Sequence, residues 1–231
     1  MALVKMGGGV IAMSGSIAGN TFARNRSGNY VRARTKPVNT NTQAQQDIRT
    51  VMSFLTNLWS VTITAPARTA WNTYANAIAM KNRLGESIYL TGFNHFIRSN
   101  TEWVNRGHVA TAAGPTTLLL PAKDTTFAIT ASVASQKISV TFANSATWAA
   151  SSAGVMYTYM GVPRNVTRNF FNGPWKYMSK IEGAGTPPTS PAALDPPMML
   201  TLGQLITVYA RIREPDGRIS EPMTASCVVA A

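Results

Sequence analysis

Two histidines, nine carboxylates and one cysteine are the whole stock from which this chain of 231 residues could build an acid–base, nucleophilic or metal-assisted centre. Such centres need several titratable groups converging on one cleft. His95 and His108 have no HExxH spacing and no paired carboxylates beside them, so they read as surface or boundary residues. Glu182 and Asp195 flank a proline-rich stretch. Two carboxylates can serve as acid and base on a glycosidic bond, but no further residue pattern supports that use here. Gly7-Gly8-Gly9 lacks the Lys-Ser/Thr of a phosphate loop and reads as a flexible joint. Cys227, alone, forms no intrachain disulfide and no cysteine-based zinc site, and it suits a small buried hydrophobe in a terminal strand. The expectation is a protein that is not an enzyme, with no catalytic residue, no metal and no cofactor.

The pattern richest in chemistry is a run of cations among aromatics. Phe22, Arg24, Arg26, Tyr30, Arg32, Arg34 and Lys36 all precede the first acid of the chain, Asp47. Turn-forming Asn25, Ser27, Gly28 and Asn29 lie between two strand-like runs and predict a β-hairpin, with an earlier strand within 10–18. A three-residue loop would set Arg24 opposite Arg32 and put all four arginines on one face with Phe22 and Tyr30. Like charges directly opposite repel, so that register calls for an anionic partner. A two-residue loop would split the arginines between faces, and the residues alone do not choose. These seven residues are the expected partner-binding set. Docking onto an acidic protein surface is the favoured reading. Phosphate contact is the rival, because arginines and aromatics also grip and stack on nucleic acid. A solvated hairpin without a partner is the plain alternative. Farther on, Phe170, Phe171 and Trp175 bracket Asn172-Gly173-Pro174 and read as an interface loop or as core.

Net charge is +12, from 21 basic against 9 acidic residues, and only 13% of residues are charged. The imbalance therefore comes from scarce acids. Hydrophobic residues make up 45%, enough for a sizeable core and against wholesale disorder. No run of eighteen apolar residues predicts a membrane span, and the glycine-interrupted N-terminus predicts no secretory signal.

The elements that must position these residues fall into three parts. Residues 1–42 form a basic hairpin arm. Residues 43–110 are helical by periodicity. Ile48, Val51, Met52, Leu55, Leu58 and Trp59 make one stripe, and Asn41 or Thr42 caps its start. Ala67, Ala70, Trp71, Tyr74 and Ile78 make a second after Thr64, where Pro66 suits a first turn. Phe93, Phe96, Ile97 and Val104 make a third after Thr91 or Gly92. A short β-excursion over 80–90 separates the last two. The aromatics Trp59, Trp71, Tyr74, Phe93, Phe96 and Trp103 are the expected core. From 111 to 231 the period changes to two: Phe127, Ile129, Ala131 and Val133; Ile138, Val140 and Phe142; Val155, Tyr157 and Tyr159; Ile206, Val208, Ala210 and Ile212. Residues 183–197, with five prolines, read as an exposed loop or a sheet-switching connection. The fold class is α+β: an arm, a small helical region, then an antiparallel β-sandwich.

The run from Tyr209 through Arg211, Arg213, Glu214-Pro215-Asp216-Gly217 and Ser220-Glu221-Pro222 resembles the final hairpin of a fibronectin type III domain. That resemblance implies a fibronectin/Ig-like sandwich over 111–231, with Trp148 a loose match to the family's early tryptophan. In the N-terminal half, Ser14 to Phe22, Arg32 to Asn39, Gln43 to Gln46, Trp59 and Ala70-Trp71, with Arg168 to Pro174 beyond, resemble small proteins encoded by tailed bacteriophages and prophages. The resemblance implies a virion component, made in the bacterial host cytoplasm. On it we expect a capsid decoration or stabilising protein anchored by its arm. The major capsid protein would be its partner, and the protein would be homo-oligomeric or lattice-bound. Tail or head–tail connector placement, nucleic-acid binding by the arginines, and carbohydrate or host-surface adhesion through Trp148, Trp175 and the tyrosines are the alternatives. No membrane association is expected.

Overall fold

The computed structural model describes every residue except Met1, Met6, Arg26, Ser27, Pro37, Arg83 and Asn169. Four strands open the chain: β1 (Ala2–Leu3), β2 (Gly15–Ile17), β3 (Asn20–Asn25) and β4 (Gly28–Ala33). They form one antiparallel sheet in the order β1-β4-β3-β2. Gly28, at φ +114°, provides the left-handed backbone beside the β3–β4 connection, which a Cβ would strain. From Val4 to Phe54 none of the residues whose burial is described is buried, so strands β2, β3 and β4 have no core of their own.

Helix α1 (Gln43–Asn57) starts at Thr42, whose backbone N–H donates to the Gln45 side chain at 3.3 Å, as a capping box requires. A π-type turn, Leu58–Thr62, prolongs it. Helix α2 (Ala65–Ala77) begins at Thr64 with Pro66 in the first turn, where its missing N–H costs nothing. The hairpin β5 (Ala79–Lys81) and β6 (Ser87–Tyr89) leads to α3 (Gly92–Asn105), capped by the Thr91 hydroxyl accepting from Asn94 N–H at 3.1 Å. Leu55, Ile63, Trp71, Tyr74, Ile78 and Phe96 form the helical core. Full burial of one such side chain contributes about 1.5–3 kcal/mol. Trp59 and Phe93 pack at its margin, while Trp103 belongs to a different cluster. In α1 the predicted stripe is only partly used: Leu55 is buried, but Ile48 and Met52 are exposed.

Seven strands follow: β7 (Ala128–Ser132), β8 (Lys137–Thr141), β9 (Val155–Gly161), β10 (Trp175–Glu182), β11 (Ala192–Leu194), β12 (Leu205–Arg213) and β13 (Met223–Val228). They make two antiparallel sheets, ordered β11-β8-β7 and β10-β9-β12-β13. Ile129, Ile138 and Val140 from the first meet Met156, Met160, Ile206, Val208 and Ile212 from the second in one shared core. The proline-rich stretch is more than a loop, because it supplies the edge strand β11. Trp148 is 1% exposed inside this core, against Phe142, so it is no stacking platform. The predicted alternation of Val155, Tyr157 and Tyr159 is real, but these residues do not face the shared core. That side of β9 carries Met156 and Met160, while Val155 and Tyr157 pack under Trp103 of α3. The outer face of β9 is thus covered at Val155 and Tyr157.

Arg213 fastens this contact. Fully buried, its guanidinium donates to Ser99 O (3.3 Å), Ala153 O (2.9 Å) and Thr111 Oγ1 (2.6 Å), and lies 4.2 Å over the Trp103 ring. Arg98 of α3 adds bonds to the carbonyls of Ile219 and Ser220, both at 3.2 Å. The connection after α3 is pinned by Asn100, which bonds Thr111 through both its amide groups, and by Trp71 Nε1 donating to Ala112 O at 3.0 Å.

Candidate docking surfaces

The N-terminal sheet holds its cations in a definite register. Asn25 pairs with Gly28, Arg24 with Asn29, Phe22 with Val31 and Thr21 with Arg32, so two residues connect the strands. Side chains alternate along a strand. Arg24 therefore shares a face with Phe22 and Val31, and Arg32 lies on the other with Tyr30. The arrangement in which all four arginines share a face is absent. Placing Arg24 opposite Asn29 removes the like-charge contact that the other register would have created. Arg26 lies outside the described residues. Arg34 follows β4, its N–H donating to Gly19 O at 2.8 Å, and Lys36 is exposed beyond it. Phe22 and Tyr30 are half-buried.

Lys5, a cation of the arm outside the expected partner-binding set, pairs at 2.5 Å with Glu86 beside the β5–β6 hairpin and, with Asn82, holds that carboxyl below its ordinary range. A shallow cavity of about 610 Å³ lies here, lined by Val4, Lys5, Val10, Ile11, Leu84 and Glu86 among others. Around the sheet, Ile11 is 91% exposed and Ile17 60%, and Val38 is also exposed. Ile48, Met52 and Phe54 of α1 are exposed as well. Among the described residues, the arm's only ion pair is Lys5–Glu86.

The second predicted surface is divided. Phe170 is 85% exposed in the β9–β10 connection. Phe171 and Trp175 are half-buried and meet edge to face at 4.9 Å, Trp175 opening strand β10 instead of sitting in the loop. A side chain at Gly161, opposite Trp175, would strike the Phe171 ring, so this glycine leaves the seat that Phe171 fills.

The histidines have separate places. His108 stacks flat on Trp103 at 3.7 Å, with Glu182 Oε1 at 3.0 Å and Lys180 Nζ at 3.1 Å from Nε2. His95 is wholly buried against Tyr74, and both its ring nitrogens lack a hydrogen-bond partner. Asp195 pairs with Lys137 at 2.6 Å, and Glu182 with Lys180. Cys227 packs against the sheet core and burial raises its thiol pKa. Among the described residues no three His, Cys, Asp or Glu side chains converge as a metal site would need, and no helix is long and apolar enough to cross a membrane. Comparison with protein-family models, curated proteins and solved structures returns no match to this chain.

Proposed function

We propose that this protein is a non-enzymatic structural component of a tailed-bacteriophage particle, fixed to an acidic protein surface by its N-terminal sheet. One observation carries the docking: in a four-stranded, strongly basic sheet, strands β2, β3 and β4 have no buried residue, yet they hold a specific register. Sheets of so few strands without a packed face are marginal in water. Contact with a partner would bury Ile11, Ile17 and Val38 and neutralise the arginines. The phage setting rests on the resemblance of residues 14–22, 32–39 and 43–46, and the major capsid protein is the partner it implies. On this reading the C-terminal part is a fibronectin/Ig-like sandwich displayed from the particle, a capsid decoration made in the host cytoplasm. Seven strands divided between sheets of three and four support that fold.

Deleting residues 1–36 tests the anchor. The truncated protein should keep its melting transition and fail to co-sediment with particles that retain the full chain. Normal incorporation of the truncated protein overturns the anchor. Duplex binding is the competing use of the arginines, and the division of Arg24 and Arg32 between faces disfavours one phosphate track. Retention of the full chain on duplex DNA with steep salt dependence would favour that rival.

A further inference from the structure

Beyond the edge of α3, the outer face of the β10-β9-β12-β13 sheet carries a strip of rings that plays no part in the arm. Tyr177 meets Tyr159 (5.8 Å between centroids), Tyr159 meets Tyr209 (5.3 Å), Tyr209 meets Trp175 (5.3 Å), and Trp175 meets Phe171 (4.9 Å). All five rings are half-buried. At one end the strip runs under α3, where the Arg106 guanidinium lies 3.4 Å over Tyr177 and is neutralised by Glu102 at 2.7 Å. At the other end nothing among the described residues covers it. There a cavity of about 790 Å³ opens between Val162, Arg164, Arg168, Phe170, Phe171 and Pro174.

The charge at that end is uncompensated. Arg164 stands 4.9 Å over the Phe171 ring and donates from Nη2 to Thr207 Oγ1 at 3.2 Å. Its Nε and Nη1 are buried without a partner. Unpaired buried donors on a cation are costly, and an anion repays them. Arg164 and Arg168 are the cations that line the cavity, and no acid lines it with them. Alongside the rings, Thr207 and Ser226 share a hydrogen bond at 2.8 Å, and Ser226 and Thr224 are exposed. The floor is thus aromatic and hydroxylated, with positive charge gathered beside the cavity.

We propose that this face binds an acidic saccharide, a pyranose lying on Trp175 and Tyr209 with its anionic substituent at Arg164 and Arg168. The hydrocarbon face of a sugar suits half-buried rings, and its hydroxyls suit Thr207, Thr224 and Ser226. Single-stranded nucleic acid is the competing occupant, because its bases also stack on such rings, and titration decides between the two.

The test is titration calorimetry on the full chain with oligogalacturonate, a hyaluronan hexasaccharide and oligosialic acid. Methyl-esterified oligogalacturonate and oligothymidylate serve as comparison probes. At least one acidic saccharide should bind with Kd of about 1 mM or tighter. Esterification should weaken oligogalacturonate, and Trp175→Leu and Arg168→Gln should each weaken the bound saccharide, by about tenfold or more, the scale of a lost charge-assisted contact. Arg68→Gln, on α2, should change nothing. The proposal is overturned if none of the three binds, if the ester binds as well as the acid, if both variants bind like the parent, or if oligothymidylate binds more tightly than every saccharide.

Discussion

Lowering the pH from 7 to 5 should destabilise this protein through one residue, His95. Its ring is 0% exposed, edge-on to Tyr74 at 5.1 Å, with neither nitrogen hydrogen-bonded. Burial foremost, and the nearby Arg98 cation next, lower its pKa from 6.5 to about 4. The unfolded chain therefore takes up a proton at a pH where the folded chain refuses it. Stability from this residue is present above pH 6.5 and drains away as the pH falls toward 4. With those two values the loss between pH 7 and pH 5 is about 2 kcal/mol, equivalent to about 4–8 °C in Tm for a domain of this size. The carboxyls of Glu86, Glu182 and Glu221, held low chiefly by Lys5, Lys180 and Lys123, begin to add losses only near their ordinary 4.5, below this window. Urea unfolding followed by tryptophan fluorescence at both pH values, for the parent and His95→Leu, measures the difference. The variant keeps the volume, discards two orphaned nitrogens, and should lose most of the pH dependence. An identical pH slope in parent and variant would refute the reasoning.

Other expectations follow from the same packing. Arg213→Ala removes a buried guanidinium bonded to Ser99, Ala153 and Thr111 and should cost about 3 kcal/mol or more in urea unfolding; a loss below about 1 kcal/mol would mean the contact with α3 is held elsewhere. Gly183→Ala would drive a Cβ into the backbone carbonyl of Trp148 and should destabilise by about 2 kcal/mol or more, whereas Gly185→Ala, with open space around it, should stay within about 0.5 kcal/mol. Thermal melts of the two alanine variants side by side make the comparison.

The helices were legible because their stripes were backed by local chemistry: Thr42, Thr64 and Thr91 stand where caps are needed, and Pro66 fits a first turn. The hairpin register was not, since either loop length satisfied the residues around Gly28 until strand pairing placed Arg24 opposite Asn29. Strand β10 was hidden because its first residue, Trp175, follows Gly173-Pro174, which reads as a turn. Arg213 was invisible for another reason. Alternation along β12 puts it on the outward face, and only the long-range arrival of α3 turns that face into an interior. The ring strip was half-visible: Tyr159 and Tyr209 lie on legible alternating strands, but only β10 carries Tyr177 and Trp175 to them.

The order β1-β4-β3-β2 has a topological consequence. The first seventeen residues border the sheet on both sides, crossing from one rim to the other through the stretch after Leu3. β1 and β2 span only two and three residues, so each rim can peel away at smaller cost than the β3–β4 hairpin can open. The two rims are therefore the parts of the sheet that open first, and whatever covers either one also restrains the stretch that crosses between them.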